Sequence, residues 1–182
     1  MMLLFSKLLF RLGGWTYEEH PDIWEDKQVA VGFPHTTNLD GFRTLAMFKI
    51  YGIKVNTLMK KDLFIGPFGW ILKAVGAIPI DRSNQGNVVE QMRLAFAERD
   101  KFTLLIAPEG TRNTGKGNRK PIRTGFWHIA KAAKVPIILM FSDARQKRGR
   151  ILAKFVPGES LKDDLRAIQK VYAQEGIHIV VE

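Results

Sequence analysis

The sequence predicts an α/β fold: a single-domain layered structure over residues 1–182, with a largely parallel, mixed central sheet flanked by helices. Three observations carry that prediction. Short apolar runs of β type alternate with segments of helical periodicity. The runs are almost continuously apolar, as strands covered on both faces must be. Hydrophobic residues make up 46% and charged residues 25% of the 182, a mixture suited to one well-filled core. No internal repeat, low-complexity tract or linker divides the chain.

Taken in order, "QVAVGF" (28–33), "KVNTLM" (54–59), "AIPI" (77–80), "FTLLIA" (102–107), "VPIILMF" (135–141) and "ILAKFV" (151–156) read as strands. Residues 39–51, 88–99, 124–134 and 161–174 between and after them read as helices. In the second of these, Val88, Val89, Met92, Ala95 and Phe96 form an i, i+3/i+4 apolar stripe. In sheets of this kind the chemistry gathers in loops at the carboxyl ends of the strands.

The composition narrows the partners. A formal net charge of +10 favours anionic ones: nucleic acid, an acidic lipid surface or phosphorylated small molecules. The chain has no cysteine, which excludes disulfides and thiolate metal sites. The first stretch, "MMLLFSKLLFRLGGW", is interrupted by Lys7 and Arg11 and falls short of the ~20 apolar residues of a bilayer span. Its charges are not placed as in a secretory signal, and it lacks a small-residue cleavage site. A helix over residues 1–15 would put Leu3, Leu4, Phe5, Leu8 and Leu12 along one side. Such a helix serves either as an interfacial membrane-contact segment or as a cover for the domain's own core.

Four polar or mixed stretches fall at strand ends. After the first strand comes "FPHTTNLD", with His35 and Asp40 five residues apart. On one continuous helix that spacing rotates the pair about 140° apart. They can meet if His35 sits in the loop and a helix begins after it, capped by Thr36, Thr37 or Asn38. A carboxylate behind an imidazole fixes the ring and leaves its other nitrogen free to take a proton, as a general base requires. A capped helix start with a hydrogen-bonded histidine would look the same. Local spacing suggests no third His, Asp or Glu to complete a metal site, so none is expected.

"GAIPIDR" ends in Asp81 and Arg82, either a guanidinium offered to a ligand at the sheet edge or a strand-end ion pair. "LLIAPEGTRNTGKG" contains G-x-x-x-x-G-K from Gly110 to Lys116. A nucleotide P-loop needs Ser or Thr next and a helix immediately after. Gly117 and Pro121 stand there instead, and a helix is expected only from about Thr124. Glu109 and Arg112 are more informative, because a turn after a strand lets Arg112 offer a two-pronged donor to phosphate. Lys60, at the end of the second strand, can join that anion site. In "KKDLFIGPFGWILKAVGAI", the cluster Phe64, Phe68, Trp70, Ile71 and Leu72, broken by Gly66, Pro67 and Gly69, reads as core or as the lining of an acyl-chain groove.

In order, "HTTNLD", "GAIPIDR", "APEGTR" and "VPIILM" resemble the four blocks of the glycerophospholipid acyltransferase family, which includes the 1-acyl-glycerol-3-phosphate acyltransferases. The resemblance covers about residues 28–140. It departs at Met140, where the family usually has proline, and the family's longer N-terminal membrane motif corresponds here to residues 1–15. It implies acyl transfer from a thioester, acyl-CoA or acyl carrier protein as co-substrate, to a hydroxyl of a lysophospholipid or glycerol-3-phosphate-type lipid acceptor. No other cofactor or metal is implied.

By that resemblance His35 is the base and Asp40 orients it. The Pro-Glu-Gly-Thr-Arg block places Glu109, Gly110, Thr111 and Arg112 at the acceptor, with Arg82 and Lys60 assisting. The expected setting is peripheral, at an anionic surface on the cytoplasmic face of a membrane, with no transmembrane span and no nucleic-acid partner. The competing readings are the same mechanism on another lipid or glycolipid, and a basic nucleotide- or anionic-lipid-binding module without acyl transfer.

Overall fold

The computed structural model describes residues 7–8, 10–17, 22–33, 38–81, 85–109, 121–143 and 147–181. Among these residues seven strands form one sheet: β1 (Thr16–Tyr17), β2 (Lys27–Phe33), β3 (Val55–Lys60), β4 (Ala77–Ile80), β5 (Phe102–Ile106), β6 (Ile137–Asp143) and β7 (Arg148–Phe155). Their order is β1-β7-β6-β2-β5-β3-β4. From β6 to β4 every neighbour pair is parallel, and β7 returns antiparallel beside β6 with β1 parallel to it. The sheet is mixed and mostly parallel, as the sequence predicts. Parallel neighbours require crossovers, and the helices supply them: α1 (Asn38–Ile50), α2 (Gly66–Ala74), α3 (Gln85–Ala97) and α4 (Gly125–Ala133), with α5 (Leu161–Gln174) following β7.

Alternation along β2 separates two cores. Val29, Val31 and Phe33 point into the larger one, packed against α3, α4 and α5 through residues such as Phe96, Phe126 and Ile168. Ala30 points to the opposite face, where Met47 and Phe48 of α1 meet Phe10, Trp15 and Met140. Each fully buried large side chain in these clusters contributes about 1.5–3 kcal/mol relative to exposure. Gln28 and Thr103 are buried polar residues on neighbouring strands, and they satisfy each other: the Gln28 amide donates to the Thr103 hydroxyl at 3.1 Å. The Gln28 carbonyl in turn accepts from the Glu25 amide at 2.9 Å.

Helix α5 shows how sequence sets an element. Ser160 caps its start, with Oγ accepting from the Asp163 amide at 3.3 Å. Asp163 and Asp164 occupy the first turn, where the helix dipole favours negative charge. Leu165, Ile168 and Tyr172 form the buried stripe. Asp164 also accepts from the Trp127 indole and the Gly158 amide, each at 2.7 Å, tying α5 to α4.

Two elements depart from expectation. β1 is only two residues long, too short to leave a periodic signal. The stretch expected as a broken apolar cluster is a helix, α2, preceded by a 3₁₀ turn at Lys61–Leu63. Its proline lies in the first turn, where the missing N–H is harmless. Gly69 is not a break: a Cβ there would lie 2.7 Å from the Phe64 carbonyl carbon, so glycine lets the helix fold back on the preceding turn. Gly69 is the only buried residue of α2. Strand β4 forms the far edge of the sheet, with Pro79 opposite Met59 and its carbonyl accepting from the Gln91 amide at 3.4 Å.

Candidate functional site

The parallel register fixes where the polar motifs emerge. Val31 of β2 is the partner of Ile106 on β5. His35 lies four residues beyond Val31 and Glu109 three beyond Ile106, so the two motifs leave adjacent strands at the same edge. Thr57 on β3 pairs with Leu105 on β5, and Lys60 pairs with Ile80 on β4. Lys60 and Asp81 therefore follow at that edge, at the ends of the next two strands. All four motif-bearing strands point the same way, and their carboxyl ends form one continuous rim, the usual ligand position in such sheets.

Three of the sequence-predicted site residues fall among the described ones. Lys60 is the last residue of β3 and is exposed. Glu109 follows β5, is half-buried, and has one carboxylate oxygen shielded from solvent. Asp40 is the third residue of α1; its side chain, like His35, Arg82, Gly110, Thr111 and Arg112, lies outside the described residues. Asp81 meets Lys61 at 2.6 Å, a strand-end ion pair across the ends of β4 and β3 whose partner, Lys61, the sequence did not suggest. The hydrogen bond that Lys61 donates to this carboxylate, and after it the carboxylate's charge, hold the exposed ammonium above its ordinary range.

The basic stretch 110–120 lies outside the described residues, but both of its ends are anchored. The Arg123 amide donates to the Pro108 carbonyl at 2.8 Å, closing the loop at its base beside Glu109. The Ile122 amide donates to the Val180 carbonyl at 2.9 Å, and the Ile122 side chain is buried in the larger core. The following helix, α4, starts at Gly125 after Thr124. That start is well past the position at which a P-loop would deliver a helix N-terminus to a nucleotide.

Sequence reasoning missed Tyr172. This α5 residue is buried beneath the rim, its hydroxyl 3.0 Å from the Met140 carbonyl on β6 and 3.1 Å from the Val31 carbonyl on β2. Burial raises its phenol well above the ordinary range. The Met140 bond opposes that rise and the negative Glu109 adds to it. The coupling to Glu109 places the phenol within electrostatic reach of the candidate site. Its sequence signal was only a tyrosine on an apolar helix stripe, which reads as core.

The architecture defines an α/β protein in which the strands that precede the sequence motifs all end at the carboxyl edge of one mostly parallel sheet. The acyltransferase family model matches residues 18–141, and the chain belongs to that family. The 1-acyl-sn-glycerol-3-phosphate acyltransferase of Haemophilus influenzae is 42% identical over 83 residues, covering 43% of this chain and 34% of that protein. The Escherichia coli enzyme of the same name is 39% identical over 87 residues, 45% of this chain and 34% of its own length. That of Limnanthes alba is 30% identical over 109 residues, 58% of this chain and 37% of its own. The chain thus spans about a third of the length of these curated relatives. The crystal structure of the 1-acyl-sn-glycerophosphate acyltransferase PlsC from Thermotoga maritima superposes with a TM-score of 0.65 at 16% identity, over 96% of this chain and 76% of that one. That likeness shows the fold.

Proposed function

We propose that this chain is an O-acyltransferase that moves a fatty acyl group from acyl-CoA or acyl carrier protein to a hydroxyl of a 1-acyl-glycerol-3-phosphate-type acceptor. The observation that carries the proposal is the shared rim: parallel register brings the exits of β2, β5, β3 and β4 together, and each exit bears one motif residue set. The names of the relatives point to the same acceptor class.

In this reading His35 takes the proton from the acceptor hydroxyl as that oxygen attacks the thioester carbonyl, and Asp40 holds the imidazole. The carbon–sulfur bond then breaks, the acyl ester forms, and the proton goes to the departing thiolate. Arg112, with Arg82 and Lys60, holds the acceptor phosphate, while Glu109 in the Glu-Gly-Thr-Arg turn, with Gly110 and Thr111, positions the glycerol portion. The enzyme works peripherally at the cytoplasmic face of a membrane, and among the described residues no helix is long and apolar enough to cross one.

The test offers purified protein labelled acyl-CoA and, in parallel, acyl carrier protein, with a panel of acceptors including lysophosphatidate, and identifies products by mass. Phosphatidate should form with at least one donor, and folded His35→Ala should turn over ~10²–10⁴-fold more slowly. Absence of any acylated product with either donor would reject the activity. Wild-type turnover by folded His35→Ala would reject the base.

A further inference from the structure

We propose that the 3₁₀ turn and α2 form a shallow-inserting docking surface for an anionic lipid bilayer. This deepens the membrane contact proposed above by naming the surface, and it points to a part of the chain other than residues 1–15. Eleven large hydrophobic side chains are prominently exposed among the described residues. Six of them, Leu63, Ile65, Phe68, Trp70, Ile71 and Val75, fall within 13 consecutive positions. Trp70 is 76% exposed and Ile65 75%. No side chain of α2 belongs to either core cluster. Scattered exposed apolar residues are ordinary, but a contiguous set of this kind marks an interaction surface.

Charge selects the occupant. Exposed Lys60 and Lys61 stand at the start of this segment and exposed Lys73 near its end, in a chain carrying a net charge of +10. An apolar helix face with lysines at its margins and an exposed tryptophan matches the headgroup boundary of an anionic leaflet. Nine residues of helix reach only about 14 Å, so the element lies in the interface plane and cannot span. A groove that sequesters a single acyl chain buries its lining. Phe68, Trp70 and Ile71 are instead more than half exposed, which fits a bilayer better.

By contrast, the N-terminal segment turns Phe10 and Trp15 into the core beneath α1, leaving Leu8 and Leu12 outward. Position supports the assignment to α2. The 3₁₀ turn follows β3 directly at the motif-bearing rim, and the Lys61–Asp81 ion pair joins it to the end of β4. A bilayer touching this turn therefore lies beside the loops expected to receive a lipid acceptor.

The test is co-sedimentation of the full chain with vesicles of phosphatidylcholine alone or mixed with phosphatidylglycerol, without acyl donor or acceptor. Wild type should bind the mixed vesicles. Phe68→Ser/Trp70→Ser should weaken binding by about tenfold or more, and Lys73→Glu by roughly ten- to thirtyfold on the mixed vesicles only. Trp70→Phe should still bind but lose most of the fluorescence quenching by brominated lipid. These side chains are exposed, so circular dichroism melts should match wild type. Unchanged binding by folded Phe68→Ser/Trp70→Ser would overturn the surface, as would a dimer dissolved by the same pair of substitutions with no vesicle binding. Turnover on a short-chain, water-soluble acceptor separates the two proposals. Vesicle binding without acyl product overturns the activity alone, whereas product with substitution-insensitive binding overturns the surface alone.

Discussion

Tyr172 holds its hydroxyl against carbonyls of two parallel strands, 3.0 Å from Met140 and 3.1 Å from Val31. Replacing it with Phe leaves the ring packing against Phe33 in place and strips both carbonyls of a donor. Tyr172→Phe should destabilise the fold by about 1–2 kcal/mol in urea titration. The alkaline limb follows from the raised phenol. The unfolded phenol loses its proton near ~10 and the buried one only above that. Stability is thus untouched below the unfolded value and falls as pH rises past it. Phenolate absorbance from Tyr172 should appear only together with loss of helical circular dichroism, and that coincident step should vanish in Tyr172→Phe. On the rim, the proposed phosphate grip predicts that Arg112→Ala raises KM for a phosphorylated acceptor far more than for a neutral one. Equal effects in steady-state kinetics would remove Arg112 from that role. The strands that precede His35, Arg82 and Glu109, and the one that ends at Lys60, were legible because each is a recognisable apolar run. Tyr172 was not, because a buried hydroxyl that reaches strand carbonyls differs from an ordinary core tyrosine only in three dimensions.

At the scale of elements, six strands and four helices were legible in the sequence to within a few residues at their ends. Their apolar periodicity agrees with the layer into which they pack. Helix α2 was misread because Gly66, Pro67 and Gly69 are breakers by propensity, and only tertiary geometry shows that this helix accommodates Pro67 and requires Gly69. Pro67 occupies its first turn, and the Gly69 hydrogen faces the Phe64 backbone. Gly69→Ala should therefore destabilise rather than stabilise, by about 1–3 kcal/mol in thermal melts, although alanine is the better helix former. A gain in stability would show that the 61–65 turn shifts freely away from α2. The apolar composition of α2 misled in a second way, since such a stretch reads as core, and its side chains are largely outside it.

For the whole molecule, topology does what no single motif can. Strands that are far apart in sequence, β2 and β5, become neighbours, so the strand ends after which the 35–40 and 109–112 segments follow in sequence lie at one rim. The sequence supports a parallel sheet but not this strand order, because order depends on which faces the crossovers cover. Central position should also set local stability: amides of β2, β5 and β6 should exchange last in native-state hydrogen exchange, and those of β1 and β4 at the two edges first. Early exchange of β2 would contradict its central place in the sheet. The β4 edge has one further consequence. In a parallel ladder, the N–H and C=O of one residue point to the same side. The Pro79 carbonyl points outward to Gln91, so the slot where its N–H would stand also faces outward, and proline leaves that slot without a donor. Of four residues in this strand, alternation directs two outward, and one of those two cannot template an incoming strand. The missing donor, together with the Gln91 amide from α3 that occupies the Pro79 carbonyl, makes this edge a poorer template for a second copy of the chain.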